Sequence, residues 1–249
     1  MLKKIFIPIV MLSGCVSVTV PEEYEYQEIQ TSYFKLASWQ KITNPTAPYK
    51  IYIEGDGAAF RADGSVSFNP TPRSTMLREI AFHDKHPNII YLARPCQFVE
   101  DKKCQPKYWS TARFSKESVQ SEYEAIKTIV KSNSVTLVGF SGGAQIAGLA
   151  AVKYADLNVQ KLVTIAGNLD VKSWTDYHKI SPLILSDDLA NYKTEYAKFK
   201  QVHYIGRLDN NIIPQITENF VADSATLIYV QNATHNTGWE NIFADIRKE

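Results

Sequence analysis

Three groups far apart in the chain have the chemistry to act together: a hydroxyl, an imidazole and a carboxylate. Ser141 lies in Gly139-Phe140-Ser141-Gly142-Gly143. A serine hydroxyl is a poor nucleophile near neutral pH unless a base removes its proton, and imidazole is the side chain best matched to that pH. Five histidines compete for the role. His83 and His86 fall on or just past an early helix, His178 in a long connection and His203 inside a strand. His235 instead follows the last strand, in Asn232-Ala233-Thr234-His235-Asn236-Thr237-Gly238-Trp239, a loop that opens a helix. A carboxylate is then needed to hold the imidazole in one tautomer and to stabilise the imidazolium as it forms. Asp209, in Gly206-Arg207-Leu208-Asp209, follows the penultimate strand, and Asp170, in Gly167-Asn168-Leu169-Asp170, follows the strand before it. Surface acids such as Asp187 have no comparable placement.

The elements that must hold these groups can be read outward from the serine. Val135, Leu137 and Val138 form a buried strand, and Ala144 to Ala151 supply a helix whose small side chains lie close against a sheet. Gly139, Gly142 and Gly143 surround the point where the backbone must reverse within a few residues. The turn lifts the hydroxyl out of the sheet and leaves the Gly142 N–H at a helix N-terminus, where it can bind a developing oxyanion. This strand, turn and helix around Gly-x-Ser-x-Gly resembles the nucleophile elbow of the α/β-hydrolase superfamily. The resemblance implies an α/β fold with a mostly parallel sheet covered by helices on both faces. It also implies a serine, acid, histidine order that Ser141, Asp209 and His235 match, with Asp170 as the alternative acid. Its second oxyanion donor would come from the loop after Tyr49–Ile53, Glu54-Gly55-Asp56-Gly57, through the backbone of Asp56 or Gly57. Glu54 stands where the superfamily often has a histidine.

Strand and helix signals alternate along the rest of the chain. Tyr33–Trp39 reads as an edge strand, a helix opens at Thr71-Pro72-Arg73, and Asn88–Leu92 is a buried strand. Ser115 caps a helix running to about Val130. Further strands are expected at Lys161–Ala166, Val202–Ile205 and Thr226–Val230, with a last helix from Gly238 onward. Residues 168–200 interrupt the alternation and form a lid-like insertion or a peripheral helix pair.

Residues 1–14 read as an address. Lys3 and Lys4 precede an apolar run, Ile5 to Leu12, that is far shorter than the roughly 20 residues a spanning helix needs. Leu12-Ser13-Gly14-Cys15 follows at once and resembles the bacterial lipobox, in which the cysteine becomes the acylated first residue. That resemblance implies a bacterial envelope protein held by lipid on Cys15. Val16, in place of an aspartate, points to the outer membrane, on its periplasmic face or at the cell surface. Glu22, Glu23, Glu25 and Glu28, with little apolar periodicity, make 15–32 a tether, which leaves 33–249 as a single folded domain. In an oxidising compartment Cys96 and Cys104 are expected to form a disulfide closing a charged loop, a contribution of about 2–3 kcal/mol on the chain-entropy model.

The whole chain has 27 basic and 26 acidic residues, and without residues 1–14 the balance is 25 against 26. No basic stripe points to nucleic acid. The spacing of cysteines and histidines fits no metal motif, so no cofactor is expected. The activity implied is a serine hydrolase acting on a small acyl substrate, an ester or thioester, through an acyl-enzyme. A peptidase or amidase of the same fold is the enzyme alternative. A surface lipoprotein that keeps the fold only for binding is the alternative of another class.

Overall fold

A computed structural model describes residues 19–246. Eight strands form one sheet: β1 (Glu25–Gln30), β2 (Lys35–Ile42), β3 (Tyr49–Ile53), β4 (Asn88–Leu92), β5 (Val135–Phe140), β6 (Val159–Ile165), β7 (Lys200–Gly206) and β8 (Thr226–Val230). Their order across the sheet is β1-β2-β4-β3-β5-β6-β7-β8. β2 runs antiparallel to both β1 and β4, and every other pairing is parallel.

The helices are α1 (Met76–His83), α2 (Lys116–Val130), α3 (Gly142–Lys153), α4 (Val171–His178), α5 (Lys193–Tyr196), α6 (Pro214–Phe220) and α7 (Phe243–Ile246). Because side chains alternate across a strand, the central strands feed two cores. Ile51, Ile53, Leu137 and Leu162 pack with residues of α2 and α3 on one face. Tyr52, Tyr91, Val138 and Val163 pack with α1 and with Trp239, Ile242 and Ile246 on the other. Burial on both sides is why these strands are continuous apolar runs rather than alternating ones.

Strand order also decides where a site can form. From β3 the chain crosses outward to β4, then returns to the opposite side of β3 as β5. Loops leaving the carboxyl ends of β3 and β5 therefore diverge to opposite sides of the sheet, and a crevice opens between them. Those loops carry Gly55–Gly57 and Ser141.

The structure departs from the sequence pattern at the β1 edge of the sheet and in two helices. The stretch expected to be a tether contains β1, which pairs in register with β2 from Glu25 opposite Gln40 to Gln30 opposite Lys35. Its first four residues are exposed and Ile29 is its buried anchor, so an edge strand with one apolar contact gives almost no periodic signal. β2 is consequently an inner strand. The first helix starts at Met76 rather than Thr71, and beyond Gly238 there is a 3₁₀ turn at Glu240–Ile242 followed by the single turn of α7. The disulfide between Cys96 and Cys104 is present. Residues 1–14 and Cys15, with the lipidation read from them, lie outside the described residues.

Candidate active site

Ser141 joins β5 to α3 with φ 50° and ψ −121°, a left-handed conformation that costs a non-glycine residue about 1–3 kcal/mol. The strain is held in place on both sides. Ser141 donates its N–H to the Ile165 carbonyl (3.1 Å), and its own carbonyl accepts from the N–H groups of Ala144 (3.1 Å) and Asn168 (3.0 Å). The neighbouring glycines are there because backbone occupies the space a side chain would need. A β-carbon on Gly139 would lie 2.4 Å from Ala144 Cα, and one on Gly143 would lie 2.3 Å from the Ile53 carbonyl oxygen. The sharp bend and the tight seating of α3 on β3 and β5 are thus one requirement.

The loop after β7 carries Asp209. Asp209 is buried, and its Oδ1 accepts from the peptide N–H groups of Asn211 (2.8 Å) and Ile212 (2.9 Å). Oδ2 is left to face His235 Nδ1 at 2.9 Å. His235 Nε2 in turn lies 3.0 Å from Ser141 Oγ. The histidine loop is anchored from below, where fully buried Trp239 donates its indole N–H to the His235 carbonyl (3.3 Å). The Phe140 ring, centred 5.1 Å from the imidazole, supports it from the side.

The rival groups are elsewhere. Asp170 caps α4, accepting from the Ser173 N–H (2.8 Å) and hydroxyl (2.7 Å). His203 is buried in the sheet against Thr164, and loss of solvation pushes its pKa down to about 4. His178 bonds the Asn211 carbonyl (2.7 Å), His83 stacks on Phe243, and His86 bonds the backbone of Asn88.

The peptide N–H groups of Gly142, Asp56 and Gly57 have no hydrogen-bond partner among the described residues. Gly57 takes φ +64°, and a β-carbon there would run into the Pro70 carbonyl oxygen at 2.0 Å, so the loop can take no other residue without moving. The Asp56 carboxylate lies against Gly142, close enough that a β-carbon at that glycine would meet its Oδ1 at 2.2 Å. A bare carboxylate so near an expected oxyanion would oppose it. Two guanidinium groups offset the charge: Arg113 Nη1 lies 2.6 Å from Oδ2 and Arg94 Nη1 3.4 Å from Oδ1. Arg94 also donates to the Arg113 carbonyl, which ties the two together. Gln97, in the disulfide-closed loop, donates to the Gly55 carbonyl (2.9 Å) and braces the turn from the other side.

Sequence reading missed this arginine pair. Arg94 and Arg113 are separated from Asp56 and from each other by long stretches of chain, and no local spacing links them. Behind them Glu122 is fully buried 3.7 Å from Arg94 Nε, and burial pushes its carboxyl up to about 8 against the pull of that arginine. Glu54, in the position where a histidine was the usual residue, is buried as well. It accepts from Tyr91 Oη (2.5 Å) and the Gly55 N–H (2.8 Å), and burial holds its pKa above the usual carboxylate range.

A cavity of about 540 Å³ opens over Ser141 and His235, with Phe60, Arg73, Arg113, Trp174 and Asn211 among its walls. The insertion contributes only its first helix to this wall: Trp174 of α4 reaches the cavity and donates to Asn211 Oδ1 (3.3 Å). The second half packs on α3, where Leu189 and Tyr196 fill the space left by Gly148. A separate depression of about 680 Å³ runs along β1 and β2 and contains none of these groups.

No protein-family model matches the chain, and no curated protein sequence does. Solved structures do match. A Pyrococcus furiosus esterase, Pf2001, superposes with a TM-score of 0.63 over 91% of this chain and 89% of its own, at 13% identity. Est1E from Butyrivibrio proteoclasticus gives 0.60 over 91% and 95%, at 10% identity. The chain has the α/β-hydrolase fold. Another protein of this fold, XC6422 from Xanthomonas campestris, described as an α/β serine hydrolase without a lid, gives 0.51 over 93% and 94%, at 14% identity. At these identities the α/β-hydrolase likeness is one of backbone architecture, and the chemistry must be argued from the side chains of this chain.

Proposed function

We propose that the protein is a serine hydrolase that cleaves an ester or thioester through an acyl-enzyme. One observation carries the reading: an unbroken relay from Ser141 Oγ to His235 Nε2 (3.0 Å) and from Nδ1 to Asp209 Oδ2 (2.9 Å), at the rim of a cavity. With Oδ1 saturated by two peptide N–H groups, Asp209 holds the proton on Nδ1 and leaves Nε2 free to accept.

Ser141 Oγ bonds to the substrate carbonyl carbon as its proton passes to His235 Nε2. The carbonyl oxygen takes the negative charge, and the N–H groups of Gly142 and of Asp56 or Gly57 receive it. Collapse breaks the bond to the alcohol or thiol, which leaves with the proton from Nε2. Water then adds to the acyl carbon, giving a proton to Nε2, and release of the acid returns that proton to Ser141. Likeness of fold to two proteins named as esterases supports the ester side of the choice. The test is a panel of 4-nitrophenyl esters, a thioester and a peptide anilide with wild type and Ser141→Ala. Ester or thioester turnover lost in the variant is expected. Turnover of the anilide alone would move the assignment to an amidase, and no turnover of any by folded protein would favour a binding role.

For the segment before the folded body we propose lipid attachment at Cys15 and residence in a bacterial envelope, on the strength of Leu12-Ser13-Gly14-Cys15 behind an apolar run. Export by that route accords with the disulfide at Cys96 and Cys104.

A further inference from the structure

The charged groups lining the cavity are unevenly partnered. Its walls carry the cations Arg73 and Arg113 and the carboxylates Asp56 and Glu54. Glu54 is turned into the protein and satisfied by Tyr91 and the Gly55 N–H. Asp56 is one carboxylate shared between two guanidinium groups, those of Arg113 and Arg94. Glu122 lies behind that pair, 3.7 Å from Arg94 Nε. Arg73, exposed on the cavity wall, has no hydrogen-bond or ionic partner among the described residues.

Arg113 is built to present its charge. Its Nε donates to the Ser110 carbonyl (2.8 Å) and its Nη1 to Asp56, so the guanidinium plane is fixed. The Phe60 ring lies 5.4 Å from it and the Trp174 ring 5.7 Å, both of them cavity walls. Aromatic faces attract a cation and offer flat apolar surface to an adjoining chain. A planar, fixed guanidinium is the side-chain group best shaped to receive a carboxylate.

We propose that the substrate of this site carries an anionic group of the carboxylate class, on the acyl or the alcohol side of the scissile bond, which Arg73 and Arg113 bind while Ser141 attacks. The inference rests on the hydrolase reading. A neutral ester would occupy the same cavity but leave Arg73 without a counterion.

The test compares matched ester pairs. One set varies the acyl side, 4-nitrophenyl esters of four- to eight-carbon acids ending in methyl or in carboxylate. A second varies the alcohol side, 3-acetoxybenzoate against its methyl ester, with spontaneous hydrolysis subtracted in both sets. The quantity read is the ratio of kcat/KM, anionic over neutral, which is independent of the fraction of protein folded. In at least one set we expect a ratio of roughly tenfold or more at low salt, expressed in KM and shrinking as salt is added. Arg73→Glu should bring the same ratio below one. Ratios at or below one in both sets, or a preference that Arg73→Glu leaves unchanged, would overturn the inference. Neutral esters turned over in a Ser141-dependent way would then leave the hydrolase reading standing. Failure of folded protein to cleave either kind of ester would overturn the inference, and the hydrolase reading would then stand or fall on the thioester.

Discussion

Replacing Asp209 by Asn separates the proposed relay from a chance cluster. The two oxygens of Asp209 are not equivalent, because Oδ1 accepts two peptide N–H groups at 2.8 and 2.9 Å while Oδ2 faces His235 Nδ1. Turning the amide of an Asn so that its NH₂ met the two peptide donors would forfeit both bonds and bury unpaired groups, at a cost of about 2 kcal/mol or more. The carbonyl therefore keeps the peptide donors, and the NH₂ faces Nδ1. An imidazole facing a donor accepts on Nδ1 and carries its proton on Nε2, 3.0 Å from Ser141 Oγ, where a base is needed. The geometry survives and the tautomer is wrong. A loss of about 10⁴ in kcat/KM is expected, equal to roughly 5.5 kcal/mol of transition-state stabilisation. Steady-state hydrolysis of 4-nitrophenyl acetate measures it, with thermal unfolding as the control for fold. Asp170→Asn is the matched comparison: Asn caps helices nearly as well as Asp, so activity and stability should stay close to wild type. Asp209→Asn within tenfold of wild type, or Asp170→Asn showing the loss instead, would refute the assignment of the acid.

Other consequences follow from packing and burial. In Gly143→Ala the new methyl would meet the Ile53 and Glu54 carbonyl oxygens at 2.3 and 2.5 Å, so the end of β3 must shift. About 1–3 kcal/mol of stability should be lost by chemical denaturation, and kcat should fall on the order of 10²-fold because the Gly55–Gly57 donors ride on that strand end. Glu122 titrates at about 8 in the fold and near 4.5 when unfolded. The unfolded chain therefore releases this proton first, and the group's contribution is full below pH 4.5 and is lost as pH rises to about 8. Glu122→Gln removes that titration, so its melting temperature relative to wild type should rise steadily from pH 5 to pH 8.5. A difference that does not change with pH would mean that Glu122 is already ionised in the fold.

Much of the centre of the molecule was legible in the residues. β5, Ser141 and α3 could be read because glycine, small and buried apolar residues fall where a strand must turn into a helix within a few positions. Asp209 and His235 followed from their places after β7 and β8, since parallel strands deliver their following loops to the same rim. What could not be read is what depends on distant chain segments meeting. Asp56 was visible as a backbone donor but not as the carboxylate shared by Arg94 and Arg113, which no local pattern links to it. β1 was missed because a mostly exposed edge strand is specified by hydrogen bonds to β2 rather than by hydrophobic alternation. The insertion after β6 was ambiguous for a related reason. Its first half turns Trp174 to the cavity and its second half buries Leu189 and Tyr196, and only the three-dimensional position of Gly148 explains the second.

The proposed relay requires Ser141 to be an activated nucleophile. Incubation with a fluorophosphonate, followed by intact mass and peptide mapping, tests it without knowledge of the natural substrate. One phosphonyl adduct per folded chain is expected, located on Ser141, absent from Ser141→Ala and formed at least a hundredfold more slowly in His235→Ala. A folded wild-type protein that takes up no adduct, or takes it up at another residue, would contradict the claim.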